Sequence, residues 1–247
     1  MKKYNLEVIT PIKFAPVVAD EIVAAINDVI EEKGICNLVL AGGKTPAGIY
    51  RLLSKPPRIS QVDWSKVRLF WSDDRYVPKD DVASNYKLVR ETLLDDIIIP
   101  AENVIAFDTS FATSQESANE YHNRIKNILK ITSVQDLSFD ITLLGIGGDG
   151  HTASIFPNSM VLKENVKIAC ASISPVAPID RVTLSPKAIF NSRNIYFIVK
   201  GENKAKILDS ILKGDGSFDE IPARLYESAT GKVTWFIDSE AAKLIQK

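Results

Sequence analysis

Two cysteines and two histidines are all that 247 residues offer to a soft metal or a disulfide. Cys36 and Cys170 lie in separate apolar runs and neither belongs to a Cys-x-x-Cys pair, so both read as buried free thiols. Two histidines cannot build a His-rich zinc site, and no metal or cofactor is expected. An excess of one charge is also lacking: 30 Lys and Arg stand against 31 Asp and Glu, a formal net charge of −1. That balance gives no electrostatic case for nucleic acid or an anionic membrane as a partner, so any recognition of phosphate must come from local groups. No run approaches the ~20 apolar residues of a membrane span, and the charged start of the chain lacks the apolar stretch of a signal peptide. A cytoplasmic protein is the expectation, with a monomer favoured. No repeat, low-complexity tract or linker divides the chain, which suits one domain over residues 1–247.

What is present is alternation. Val17, Val18, Ile22, Val23, Ile26, Val29 and Ile30 recur at helical spacing, with Gly34 suited to the C-terminal cap. Short apolar runs at 37–41, 67–71, 140–144, 166–171, 194–200 and 232–237 read as strands. Helices are expected from about 46 to 53, from a cap at Ser84 to about Leu94, from a Thr113/Glu116 capping box to about Lys130, and over 202–213 and 239–246. Strand–helix alternation predicts an α/β fold, a mainly parallel sheet with helices on both faces. Ligands of such sheets bind beyond the carboxyl ends of the strands. His122, among Glu120, Asn123 and Arg124, reads as part of a solvated helix face and is given no role.

The richest stretch is 140–157, where a buried strand empties into Gly145-Ile-Gly-Gly-Asp149-Gly-His151, ahead of residues able to start a helix. Glycines let a ligand approach backbone N–H groups, and a histidine titrating near neutrality can take a proton from water. The loop also satisfies the G-x-G-x-x-G dinucleotide pattern, but the following strand-like run lacks the acidic residue that a nicotinamide site needs. A purely structural turn is the other reading. Gly42-Gly43-Lys44-Thr45-Pro46, between a strand and a helix, can aim N–H groups at a single phosphate, with Pro46 at the first helical position. A plain helix-start turn fits as well. Leu38 stands where a nucleotide P-loop requires glycine. Asp73-Asp74-Arg75 is open between an ion-pair turn and a set of contacts to sugar hydroxyls or a carbonyl. Arg181 and Lys204 are candidate anion contacts. No Gly-x-Ser-x-Gly elbow points to a serine hydrolase.

Taken in register, Ala41-Gly-Gly-Lys-Thr-Pro46, Asp73-Asp-Arg-Tyr-Val-Pro78 with Ser84-Asn85, Leu144-Gly-Ile-Gly-Gly-Asp-Gly-His-Thr-Ala-Ser-Ile-Phe-Pro157, Arg181-Val-Thr and Gly201-x-x-Lys204 resemble the 6-phosphogluconolactonases, within the wider glucosamine-6-phosphate isomerase/lactonase superfamily. The resemblance implies a single domain with a Rossmann-like sheet, and hydrolysis of a small phosphorylated sugar lactone without cofactor. It implies His151 as general base and Asp149 as a supporting or substrate-contacting carboxylate. Gly42, Gly43, Lys44, Thr45, Arg181 and Lys204 would hold the phosphate end, with Asp73 and Arg75 near the ring and Arg75 or loop N–H groups at the oxyanion. Lys44, Asp74 and Gly148 depart from the serine, glutamate and proline more usual in that family. The related deaminases carry an acid five residues after the histidine, where this chain has Phe156. A non-catalytic sugar-phosphate sensor would have no need of His151 and Asp149.

Overall fold

The computed structural model describes residues 4–245. Seven strands, β1 (Asn5–Ile9), β2 (Cys36–Leu40), β3 (Val67–Trp71), β5 (Val104–Ile105), β6 (Ile141–Leu144), β9 (Asn194–Val199) and β10 (Lys232–Asp238), form one sheet in the order β1-β10-β9-β6-β2-β3-β5. Every pairing in it is parallel. All four residues of β6 are buried, as a strand covered on both faces must be. The apolar core runs along this sheet and includes Trp71, Phe70, Phe139 and a stacked Phe197–Trp235 pair, ring centroids 3.9 Å apart. Three shorter strands, β4 (Asp73–Arg75), β7 (Ala169–Ile173) and β8 (Asp180–Leu184), make a separate antiparallel sheet in the order β4-β8-β7. Ser72 joins the two sheets, donating its N–H to Leu40 and accepting that of Leu184.

Helices α1 (Phe14–Lys33), α2 (Lys44–Leu53), α3 (Asn85–Val89), α4 (Ser114–Leu129), α5 (Pro186–Phe190) and α6 (Ala205–Lys213) fill the connections. Gly34 ends α1 in the left-handed conformation, and Thr113 and Glu116 complete the capping box of α4. The expected 84–94 helix is α3 continued by a π-helical turn over Arg90–Leu94.

Four expectations need correction. The 166–171 run forms β7, three residues later and in the small sheet, so it is no neighbour of β6 and the dinucleotide pattern lacks its second strand altogether. Residues 239–244 are turns, not a helix, and 246 lies outside the described residues. No helix starts after His151, because Thr152 and Ile155 pair as an antiparallel bridge. Helix α2 begins at Lys44, which makes Pro46 its third residue, still among the positions whose N–H has no partner within the helix. The strands β1, β4, β5 and β8 and the helix α5 were not expected.

Tyr121 of α4 ties two strands together: its hydroxyl accepts the Trp71 N–H at 2.9 Å and donates to the Ile105 carbonyl at 2.9 Å. Tyr121→Phe removes both bonds at a fully buried position, so it should destabilise the fold by about 1–3 kcal/mol. An unchanged urea midpoint would contradict this account of the β3–β5 edge.

Candidate active site

Strand order reverses between β2 and β6, since the chain moves from β2 outward to β3 and β5, and from β6 outward to β9 and β10. Loops leaving the two central strands therefore diverge, and a crevice opens at their carboxyl ends. The 42–43, 72–75 and 145–151 loops all reach it. They enclose a cleft of about 270 Å³ lined by Gly42, Gly43, Ser72, Asp73, Arg75, Asn85, His151, Ser154, Phe156 and Arg181, among others. A smaller cleft of about 180 Å³ adjoins it, sharing Gly42, Gly43, Gly145 and Ile146, and adds Lys44, Thr45, Lys200 and Lys204.

His151 is fixed by its own loop. Nδ1 lies 2.6 Å from Asp149 Oδ1, and the same carboxylate oxygen accepts the His151 N–H. The His151 carbonyl accepts the Gly147 N–H at 2.8 Å, closing the turn. A Cβ at Gly147 would overlap both the imidazole and the Asp149 carboxylate, so glycine there is a requirement of packing. Phe156 packs against the ring, with centroids 4.9 Å apart. The hydrogen bond from His151, above all, holds the Asp149 carboxyl down to about 2.

Asp73 is buried and accepts hydroxyl hydrogen bonds from Ser154 at 2.6 Å and Ser72 at 3.1 Å. Its neighbour Asp74 faces the other way, accepting the N–H groups of Arg75, Asn85 and Tyr86 at 2.7, 2.7 and 3.0 Å. Burial pushes the Asp74 carboxyl up to about 6 against the pull of those three donors. Asp74 is thus the anchor of α3. Arg75 donates to the Ala83 carbonyl at 2.6 Å and is paired in register with Arg181 across β4 and β8. Burial, and then the Arg75 charge, lower the Arg181 pKa, while Asp73 and Asp74 oppose them. Arg181 Nε has no partner among the described residues.

Helix α2 carries no side-chain cap at its N-terminus; Gly43 opens it at φ +107, a conformation that a side chain would strain. Gly42 leaves room for the Asn85 carboxamide, which a Cβ would strike. The buried Tyr50 hydroxyl, on α2, accepts the Ala41 N–H and donates to the Ala41 carbonyl, fixing the loop's entry. At the opposite wall, burial lowers the Lys204 pKa and the Asp149 charge counters it.

The expected site residues thus come together in two joined clefts: Gly42, Gly43, Asp73, Arg75, His151 and Arg181 line the larger, and Lys44, Thr45 and Lys204 complete the smaller. Arg181 therefore stands beside Arg75 instead of among the Lys204 group. Asp149 lines neither cleft; it backs His151 and faces an apolar groove with Pro157 and Met160. Sequence reasoning gave no role to Ser72, Ser154 or Asn85, whose hydroxyls and amide carry no signal until β4 folds beside the 151–156 loop. His122 is not on a solvated face: it is half-buried, and Nδ1 accepts the Ile168 N–H at 3.0 Å. Cys36 and Cys170 are buried and free, as expected. No group of His, Cys, Asp or Glu among the described residues could hold a metal ion, and no described helix is long and apolar enough to cross a membrane.

These features define a class: a doubly wound α/β protein with an imidazole–carboxylate pair and an open helix N-terminus in its switch-point crevice. A family profile described as glucosamine-6-phosphate isomerases/6-phosphogluconolactonase matches residues 10–235, and the chain belongs to that family. It is 37% identical over 214 residues to a 6-phosphogluconolactonase of Mycobacterium leprae, covering 84% of each chain. A 6-phosphogluconolactonase of Synechocystis is 30% identical over 218 residues, covering 88% of each. The solved structure of 6-phosphogluconolactonase from Trypanosoma brucei superposes with a TM-score of 0.85 at 30% identity, covering 98% of this chain and 99% of that one.

The Asp149–His151 contact has a titration signature. A carboxyl held at about 2 when folded binds its proton less tightly than in the unfolded chain. The pair therefore contributes stability above the ordinary aspartate range and loses it as pH falls towards 2, an effect kept small by the 42% exposure of the Asp149 side chain. The Asp149 carboxyl carbon should titrate near 2 by NMR, and His151→Ala should return it to about 3.9. A midpoint that ignores the loss of His151 would refute the pairing.

Proposed function

We propose that this chain hydrolyses 6-phosphoglucono-δ-lactone to 6-phosphogluconate, the second step of the oxidative pentose phosphate pathway. The observation that carries the reading is the His151 imidazole in the cleft wall, its Nδ1 engaged by Asp149 at 2.6 Å. That contact favours the tautomer with hydrogen on Nδ1 and leaves Nε2 as the base. Nε2 takes a proton from water, whose oxygen attacks the lactone C1. Negative charge develops on the carbonyl oxygen. The Gly147 and Gly150 N–H groups are spent inside the loop, and the reading gives the charge to Arg75, which lines the same cleft as His151. Collapse breaks the bond from C1 to the ring oxygen, which leaves as a hydroxyl with the proton returned from His151. A lactone is already an activated ester, so positioned general-base help suffices.

For the phosphate end, the reading uses the uncapped N-terminus of α2, the Thr45 hydroxyl, Lys44 and the half-buried Lys204 in the adjoining cleft. Arg181, with an unpartnered Nε, extends that positive wall towards the ring. A near-neutral chain selects a phosphorylated substrate by such local charge. Phe156, buried against His151, leaves no acid at the position where deaminases carry one, which favours hydrolysis over isomerisation. A monomer working in the cytoplasm belongs to the same reading.

With the lactone generated in place by glucose-6-phosphate dehydrogenase, the purified chain should accelerate acid release above the spontaneous rate, in EDTA as well. His151→Asn should lower kcat by about 10²–10⁴-fold. Ammonia release from glucosamine 6-phosphate without lactone acceleration would overturn the assignment. Lys204→Ala should raise KM by the equivalent of about 1.5–3 kcal/mol, the scale of a charged hydrogen bond; an unchanged KM would remove Lys204 from the phosphate end.

A further inference from the structure

Ser154 lies three residues beyond His151, on the same loop, and is almost wholly buried. Its Oγ donates to Asp73 Oδ2 at 2.6 Å, a short bond to an ionisable acceptor. The backbone of Ser154 is held as firmly: its N–H reaches Thr183 Oγ1 at 3.3 Å, and its carbonyl accepts the Ser172 hydroxyl at 2.6 Å. Those partners sit on β8 and β7, and Asp73 starts β4. Ser154 thus bonds to all three strands of the small sheet. Ser72 completes the arrangement by donating to the other Asp73 oxygen at 3.1 Å. Ala153, just before it, adopts φ 48, a left-handed conformation that alanine rarely takes, so the turn presenting Ser154 is imposed by these contacts.

Each carboxylate oxygen accepts more than one hydrogen bond. With one serine on each oxygen, Asp73 keeps an acceptor site on the cleft that it shares with His151, Arg75 and Arg181. We propose that Ser154 is a positioning residue: it clamps Asp73 at a set distance from the His151 loop, so that Asp73 accepts the substrate hydroxyl next to the reacting carbon. Hydroxylated lactones are thereby selected over deoxy analogues, because a site built to bond a hydroxyl leaves its own buried acceptor unpaired when that hydroxyl is missing. This deepens the lactonase reading and rests on it for the identity of the sugar.

The test is binding, measured by calorimetry with 6-phosphogluconate and its 2-deoxy analogue, with turnover measured separately. The native chain should prefer the hydroxylated acid by roughly tenfold or more. Ser154→Ala should remove most of that preference, weakening the hydroxylated acid while leaving the 2-deoxy acid unchanged. Asp73→Asn should do the same, and the double variant should be no worse than Asp73→Asn alone, since both act on one contact. Ser72→Ala, which removes the longer bond, should give a smaller loss of preference and serves if Ser154→Ala does not fold. Equal weakening of both acids, or additive losses, would reduce Ser154 to a structural residue and overturn the proposal. Intact discrimination without lactone acceleration would instead refute the lactonase reading and leave the clamp standing.

Discussion

Between β2 and β6 the two halves of the chain part, and this reversal of strand order decides where every functional group can stand. Both strands are central to a parallel sheet and almost entirely buried, so their only route to ligand chemistry is through the loops at their carboxyl ends. Those loops turn away from each other and must keep an open crevice between them. Gly42 and Gly147 answer that constraint in the same way, each omitting a Cβ where a functional side chain packs against the backbone. In one loop that side chain is Asn85; in the other it is the Asp149–His151 pair.

The small antiparallel sheet supplies what the parallel one cannot. Its register sets Arg75 opposite Arg181, and its first residue, Asp73, is the carboxylate clamped by Ser72 and Ser154. Two guanidinium groups and buried acids thus share one wall, while Lys204 and the α2 N-terminus lie at the other. Charges of both signs are desolvated together, which is why burial, not pairing, heads the causes moving Arg181, Asp74 and Lys204. In a protein of net charge −1, the positive groups of the two clefts converge locally instead of reflecting an overall charge.

Much of this was legible in the sequence where local chemistry and global fold agree. Buried parallel strands announce themselves as apolar runs, so β2, β3, β6, β9 and β10 were found within about two residues. The capping box of α4 and the Gly34 cap were read from their own residue types. The edge strand β1 escaped because its side chains alternate too weakly, with Val8 more than half exposed. β4 and β8 escaped because buried Asp73, Asp74 and Arg181 look like surface residues until the site that holds them exists. His151 was marked by its glycines; Ser154 was not, since only the fold brings Asp73 to it. His122 misled for the converse reason, its polar neighbours hiding a bond to the Ile168 N–H.

The central claim is that one elongated crevice holds a phosphorylated sugar acid with its ends in a fixed order. A structure of the chain with bound 6-phosphogluconate tests it most directly. The account predicts the phosphate against the N-terminus of α2 and Lys204, with the C1 carboxylate within hydrogen-bond reach of His151 Nε2. A ligand bound the other way round, phosphate at His151, or one seated outside the two joined clefts, would contradict it.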